Sequence, residues 1–289
     1  MKCAILQSVC NNYESIISLT SPINKRYAEY HKADYILHKQ KFNHNRHPAW
    51  NKIYSTLDLL RSGKYDYILF IDGDAVVIDI TRSLFDLGFN DPNALLHLGD
   101  DNQREKKFAV NTGVYLVKCD DLMITFFEAV LHCPTLKKYY TAKYWEQNII
   151  QYELNRDQNY YSKIVKVYDG NYFNHTEGDW VYHPCIWEPG VSYQRTGEIK
   201  ISLLKKKIST LTVDQKLYLN NELLSSDIQT LDPSPSATVL SNQVREVGSQ
   251  KLFLLDPSPG ATVLSKMSSV TDQPKKVTNI TQQPKDYYD

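Results

Sequence analysis

The sequence predicts an α/β fold, with a mostly parallel central sheet flanked by helices. Three observations carry this expectation. Strand-like and helix-like stretches alternate along residues 1–200. The strongest strand, within "YILFIDGDAVVI" (Tyr67–Ile78), is continuously apolar or aromatic up to Asp72, as a strand covered on both faces should be. That strand then meets two carboxylates, Asp72 and Asp74, at its carboxyl end, where ligands bind in such folds.

The elements follow in order. Lys2–Val9 reads as a short buried strand, and Tyr35–Leu37 as a second. "AWNKIYSTLDLLR" (Ala49–Arg61) has apolar residues at helical spacing and stops at Gly63. Tyr67–Ile71 is the motif strand. Ser83–Leu87 reads as a short helix, Ala94–Leu98 as a strand running into "GDDN", and Val114–Val117 as another strand. Helices are expected over Leu122–Leu131 and Lys143–Leu154, and a last strand over Ile164–Tyr168. Composition changes near residue 205. The repeat "LDPSPSATVLS" (Leu231–Ser241) returns as "LDPSPGATVLS" (Leu255–Ser265), and two copies are too few for a solenoid. Its Pro-Ser-Pro core resists helix and central strand alike. The expected organisation is therefore a domain over residues 1–211. Residues 212–289 read as a largely disordered linker or tail, a tether for a further domain or partner, with a small β appendage, "ATVLS" pairing with its copy, as the rival reading.

Bulk composition narrows the function. Of 289 residues, 33 are basic and 33 acidic, so no net field draws the chain to nucleic acid or to an anionic membrane. The five cysteines form no CxxC pair, which argues against a zinc framework and suits a reducing compartment. The first residues make too short an apolar run for a secretory signal, and no stretch is long enough for a membrane anchor. The expected location is cytoplasmic.

The chemistry gathers around "IDGDAVV". Ionised carboxylates are rarely buried without a partner. Hard oxygen ligands one residue apart suit Mg²⁺ or Mn²⁺, and such an ion relieves the repulsion between them. A haloacid-dehalogenase-like phosphatase also satisfies "DGDAV", with Asp72 as nucleophile. There, however, the motif belongs on the first strand, and here a strand and a helix precede it. A binding module without catalysis is the third reading.

Further segments resemble those of GT-A glycosyltransferases of the galactosyl- and xylosyltransferase-like kind. "HPAWNKIYSTLDLL" (His47–Leu60) is similar to their Trp-x-Lys-Ile helix, and "NTGVYLVK" (Asn111–Lys118) to their segment where a turn leads into an apolar strand. "WEQNII" (Trp145–Ile150) resembles the segment beside the donor sugar, with Glu146–Gln147 where relatives usually have Asp-Gln. "WVYHPCIWEPG" offers His183 as a third metal ligand, with His175 as the alternative. The resemblance covers residues 1–200. It implies a GT-A fold, a nucleotide-diphosphate sugar as donor and a glycan as acceptor. It assigns the metal, Mn²⁺ or Mg²⁺, to Asp72, Asp74 and His183. Donor contacts fall to Asp72, Gly73, Gln7, Tyr13, Lys52, Asn111 and Gln147. Glu146, Asp100 and Asp101 are the carboxylates able to act on the acceptor, and a retaining mechanism needs none. Among Trp50, Trp145, Trp180 and Trp187, core packing is expected for most. A narrower similarity, to the first domain of capsid-glycan enzymes of large DNA viruses of green algae, implies a UDP-rhamnose or UDP-glucose donor and work in a host cytoplasm.

Overall fold

A computed structural model describes residues 1–9, 13–39, 45–84, 91–101, 107–133, 144–170, 174, 178–186 and 191–211. All lie in one compact unit, Met1–Leu231. The repeats, the 211/212 boundary, His175, Trp187 and most of Ser83–Leu87 fall outside the described residues.

A six-stranded sheet forms the centre, in the order β2-β1-β3-β6-β5-β7. Its strands are β1 (Cys3–Ser8), β2 (Asp34–His38), β3 (Tyr67–Asp72), β5 (Leu96–Asp100), β6 (Val110–Lys118) and β7 (Val165–Tyr168). Strand β1 pairs in parallel with β2 and β3, and β5 with β7. Only β6 runs against its neighbours, β3 and β5. The expected mostly parallel sheet is thus found, with one strand reversed. A second, two-stranded ribbon joins β4 (Val76–Val77) to β8 (Val181–Tyr182).

Side chains leave a strand alternately to either face, and the core divides accordingly. Ala4, Leu6, Ile68, Phe70, Tyr115 and Val117 point to one face. There they meet Ile53 and Leu57 of helix α2 (Asn51–Arg61) and Phe126 and Phe127 of α3 (Asp121–His132). Ile149 and Leu154 of α4 (Trp145–Arg156) complete that layer. Cys3, Ile5, Leu69, Ile71, Val114 and Leu116 point to the other face, against Tyr27 and Ala28 of α1 (Glu14–Tyr30) and against Trp180. A short helix α5 (Gln158–Tyr161) follows α4. The last helix, α6 (Tyr193–Ser209), shares a smaller cluster with α1 through Leu204, Ile16 and Ile23.

Two long helices depart from the sequence reading. Helix α1 was not expected, because Pro22 interrupts it and its buried face includes Thr20, Ser21 and Asn24. Those polar side chains have partners elsewhere: Ser21 Oγ is hydrogen-bonded to the Tyr35 hydroxyl at 2.9 Å, and the other two bond backbone. Thr20 Oγ1 donates to the Gly73 carbonyl at 2.7 Å, and Asn24 Nδ2 to the Ala75 carbonyl at 3.0 Å. Helix α6 begins at a Ser192 cap whose oxygen accepts from the Arg195 N–H. The expected turn at Asn111–Gly113 is also corrected: these residues lie inside β6. A register shift at Leu98/Gly99 in β5 accommodates them.

His97, on β5, is fully buried against the Tyr168 hydroxyl at 3.0 Å. Burial pulls its pKa from 6.5 down to about 4; the nearby Asp91 carboxylate opposes this and Lys166 adds to it. The folded state thus disfavours the imidazolium. Stability should be whole above pH 6.5 and decline as pH falls towards 4, by about 3 kcal/mol at most. The expected result is a larger fall in thermal midpoint from pH 7 to pH 4.5 in the wild type than in His97→Gln. Equal falls would refute it.

Candidate active site

Strand β3 delivers Asp72 to the carboxyl edge of the sheet, and the chain turns at once through Gly73 and Asp74. The Ala75 N–H donates to the Asp72 carbonyl at 3.0 Å, closing the turn. From beneath, Gln7 Nε2 donates to the same carbonyl at 3.1 Å, while the Tyr35 hydroxyl donates to Gln7 Oε1 at 2.6 Å. With Thr20 and Asn24 holding Gly73 and Ala75, the loop is fixed along its length. Gln7 is fully buried, so the structure puts it under the site rather than on its wall.

The two carboxylates have separate cationic partners. Lys52, from α2, places Nζ 2.9 and 3.1 Å from the Asp72 oxygens, 3.0 Å from Glu146 Oε1 and 3.1 Å from the Thr112 carbonyl. Burial works against its charge, but Asp72 and Glu146 outweigh that and raise its pKa. Burial raises the Glu146 pKa, partly offset by Lys52. One Glu146 oxygen accepts from Thr112 Oγ1 at 3.1 Å, and the other is buried with no hydrogen-bond partner. Asp74 is bound by His183 Nε2 at 3.1 Å and by Lys200 Nζ, a residue of α6. Burial disfavours its charge, yet Lys200 and His183 prevail and hold its carboxyl well below the usual range. His183, itself buried, is pushed up to about 10 by Cys185 and Asp74.

The wall opposite is built from β6 and α4. Gln147 accepts the Thr112 N–H at 3.1 Å through Oε1 and donates to Asp101 Oδ2 at 3.1 Å through Nε2. Asn111 Oδ1 accepts from the Gly113 N–H at 2.8 Å and from Asn174 Nδ2 at 2.7 Å. Asn174 Oδ1 in turn accepts from His183 Nδ1 at 2.7 Å, which fixes the ring and presents Nε2 to Asp74. His47 and Trp145 stack with centroids 3.8 Å apart. Beside them Tyr144 and Trp145 have φ of 65° and 29°, a strained region for residues with side chains.

These parts enclose a cavity of about 470 Å³. Of the sequence candidates, Tyr13, Lys52, Asp72, Gly73, Asp74, Asp101, Asn111, Glu146, Gln147 and His183 line it; Gln7 and Asp100 do not. Asp72, Asp74 and His183 offer ligand atoms within 4.8 Å of one another. Two carboxylates with an imidazole suit Mn²⁺ or Mg²⁺. Space has also been kept for them: a Cβ on Gly113 would lie 2.6 Å from His183 Nδ1 and 3.0 Å from Asp72 Oδ2. The residues fit a divalent ion. Sequence reasoning missed Lys200, Asn174 and Thr112. Lys200 is 126 positions from Asp74, and no local pattern marked it.

No protein-family model matches the chain, and no curated protein sequence does. Solved structures do match. A glycosyltransferase involved in the glycosylation of the major capsid of PBCV-1 is 15% identical, with a TM-score of 0.52 over 71% of this chain and 99% of that one. The glycosyltransferase GlyE of Streptococcus pneumoniae TIGR4 is 15% identical, with a TM-score of 0.48 over 79% of this chain and 66% of that one. The likeness to the PBCV-1 protein is one of fold, and the chain has the GT-A fold expected from its sequence.

Proposed function

We propose that the protein is a metal-dependent glycosyltransferase, moving a sugar from a nucleotide-diphosphate donor to a glycan acceptor. The observation that carries this reading is the Asp72–Asp74–His183 cluster at the carboxyl end of β3, opening on a cavity of about 470 Å³. Asp72, Asp74 and His183 would hold Mn²⁺ or Mg²⁺, which supplies Lewis-acid neutralisation of a departing diphosphate. Asn174 orients His183, and Lys52 aims the Asp72 carboxylate. Tyr13, which lines the cavity, would stack on the base of the donor. Gln147 and Asp101 form a hydrogen-bonded pair suited to sugar hydroxyls.

Retention is the favoured stereochemical course. One oxygen of Glu146 is committed to Lys52 and Thr112 and the other is buried, whereas in retention the leaving phosphate takes the acceptor proton. A phosphatase reading is disfavoured, because the motif strand β3 is the third in chain order, after β1, α1 and β2, and the matching fold is that of a glycosyltransferase. The PBCV-1 enzyme's role in glycosylating a capsid motivates UDP-rhamnose and UDP-glucose as first donors, and a cytoplasmic setting in a host cell. No helix among the described residues is long and apolar enough to cross a membrane.

The test is calorimetric titration of UDP with Mn²⁺ and then with EDTA. Binding should require the metal and fall at least about tenfold in Asp74→Asn. No binding under any condition would overturn the proposal. Binding with no turnover of any UDP-sugar would mark a nucleotide-sugar-binding module instead.

A further inference from the structure

The carboxylates of the metal site are already neutralised from within. Asp72, Asp74 and Glu146 bring three negative charges. Lys52 and Lys200 bring two positive ones, and the His183 ring is the third partner. The two lysines are held differently. Lys52 has three acceptors on three elements, with a side chain 6% exposed. Lys200 reaches across from α6, 126 positions away, and among the described residues its ammonium has one hydrogen-bond acceptor, Asp74 Oδ2. Its side chain is 13% exposed and lines the cavity.

A divalent ion on Asp74 must contend with that ammonium. If Lys200 stays, two cations crowd one carboxylate. If it leaves, a largely buried ammonium loses its counter-ion, which is costly unless another anion arrives. A diphosphate entering the same cavity is such an anion. We infer that Lys200 is the resident counter-ion of Asp74 and couples the two ligands, ceding the carboxylate to the metal and passing its ammonium to the donor's diphosphate. This rests on the donor chemistry proposed above. Metal alone then binds weakly, diphosphate alone binds weakly, and each strengthens the other by the same factor, as linkage requires. Lys200 is a positioning residue for the ligand pair, and its effect is on binding.

The test is a titration cycle on the full chain: Mn²⁺ alone, UDP alone, and each in the presence of the other, in wild type, Lys200→Met and Lys200→Gln. In the wild type, UDP should tighten Mn²⁺ binding at least about tenfold, within the usual range of coupling energies. In both variants Mn²⁺ alone should bind about tenfold tighter than in wild type, and the mutual enhancement should shrink. Wild-type Mn²⁺ affinity that is indifferent to UDP would overturn the inference without recourse to any variant. So would variants with unchanged Mn²⁺ affinity and undiminished coupling. Failure of the underlying reading looks different: UDP would not bind wild type even with saturating Mn²⁺.

Discussion

Replacing Lys52 with methionine is expected to destabilise the domain by about 3–5 kcal/mol, the usual cost of removing one partner from a buried ion pair. The stem of the side chain is kept, so the loss is one of charge. Asp72, a quarter exposed, and Glu146, almost fully buried, would then face each other with no cation between them, and the Thr112 carbonyl adds a further acceptor. Glu146 is only 2% exposed and cannot recover hydration without disturbing α4. In this size range the change corresponds to a fall in thermal midpoint of roughly 10 °C. Adding Glu146→Gln should return part of the loss, because it removes one of the two stranded carboxylates. A double-mutant cycle by urea unfolding measures this directly. A Lys52→Met change below about 1 kcal/mol would mean that the clamp is looser than the geometry states.

The second large effect is expected from a single methyl group. Gly113→Ala places a Cβ 2.6 Å from His183 Nδ1 and 3.0 Å from Asp72 Oδ2, with His183 Cε1 nearer still. Gly113 needs no unusual φ, so its backbone tolerates alanine; the conflict is with the imidazole. His183 is buried and bonded on both sides, by Asp74 and Asn174, and has little room to swing. The variant should fold, show a near-native circular dichroism spectrum, and lose metal-dependent UDP binding by about a hundredfold, the upper end for displaced metal ligands. Native affinity in Gly113→Ala would show that His183 does not stand against β6 as described.

Much of this site could be read from the chain before folding. A run of apolar residues ending on Asp72 and Asp74 is a local signal, and so is the helical spacing that put Lys52 on α2. The apolar stretches gave the sheet because parallel strands buried on both faces are apolar throughout. Helix α1 was illegible for the opposite reason. Its buried face carries Thr20 and Asn24, whose partners are backbone atoms of the Gly73–Val77 segment, and Ser21, which is hydrogen-bonded to the Tyr35 hydroxyl; periodicity of hydrophobicity does not register them. Lys200 was illegible because its meaning depends on Asp74. On α6 alone it is one lysine among several. No pattern points Asn174 to the site, and it proves to be the residue that aims His183. The reversal of β6 could not be deduced either, since an apolar strand reads the same in both directions.

The order in which the chain is made bears on Asp74. The sheet has all its strands once β7, Val165–Tyr168, has emerged, yet His183 and Lys200 lie further on. Domains assemble largely from the N-terminus during synthesis. For an interval, then, a nascent chain that has emerged through β7 has neither cation available to Asp74. That carboxylate must stay hydrated until β8 and α6 arrive to bring His183 and Lys200. Maturation of the site is thereby tied to completion of the domain, and a ribosome-bound fragment ending before α6 would hold a sheet without a charge-balanced centre.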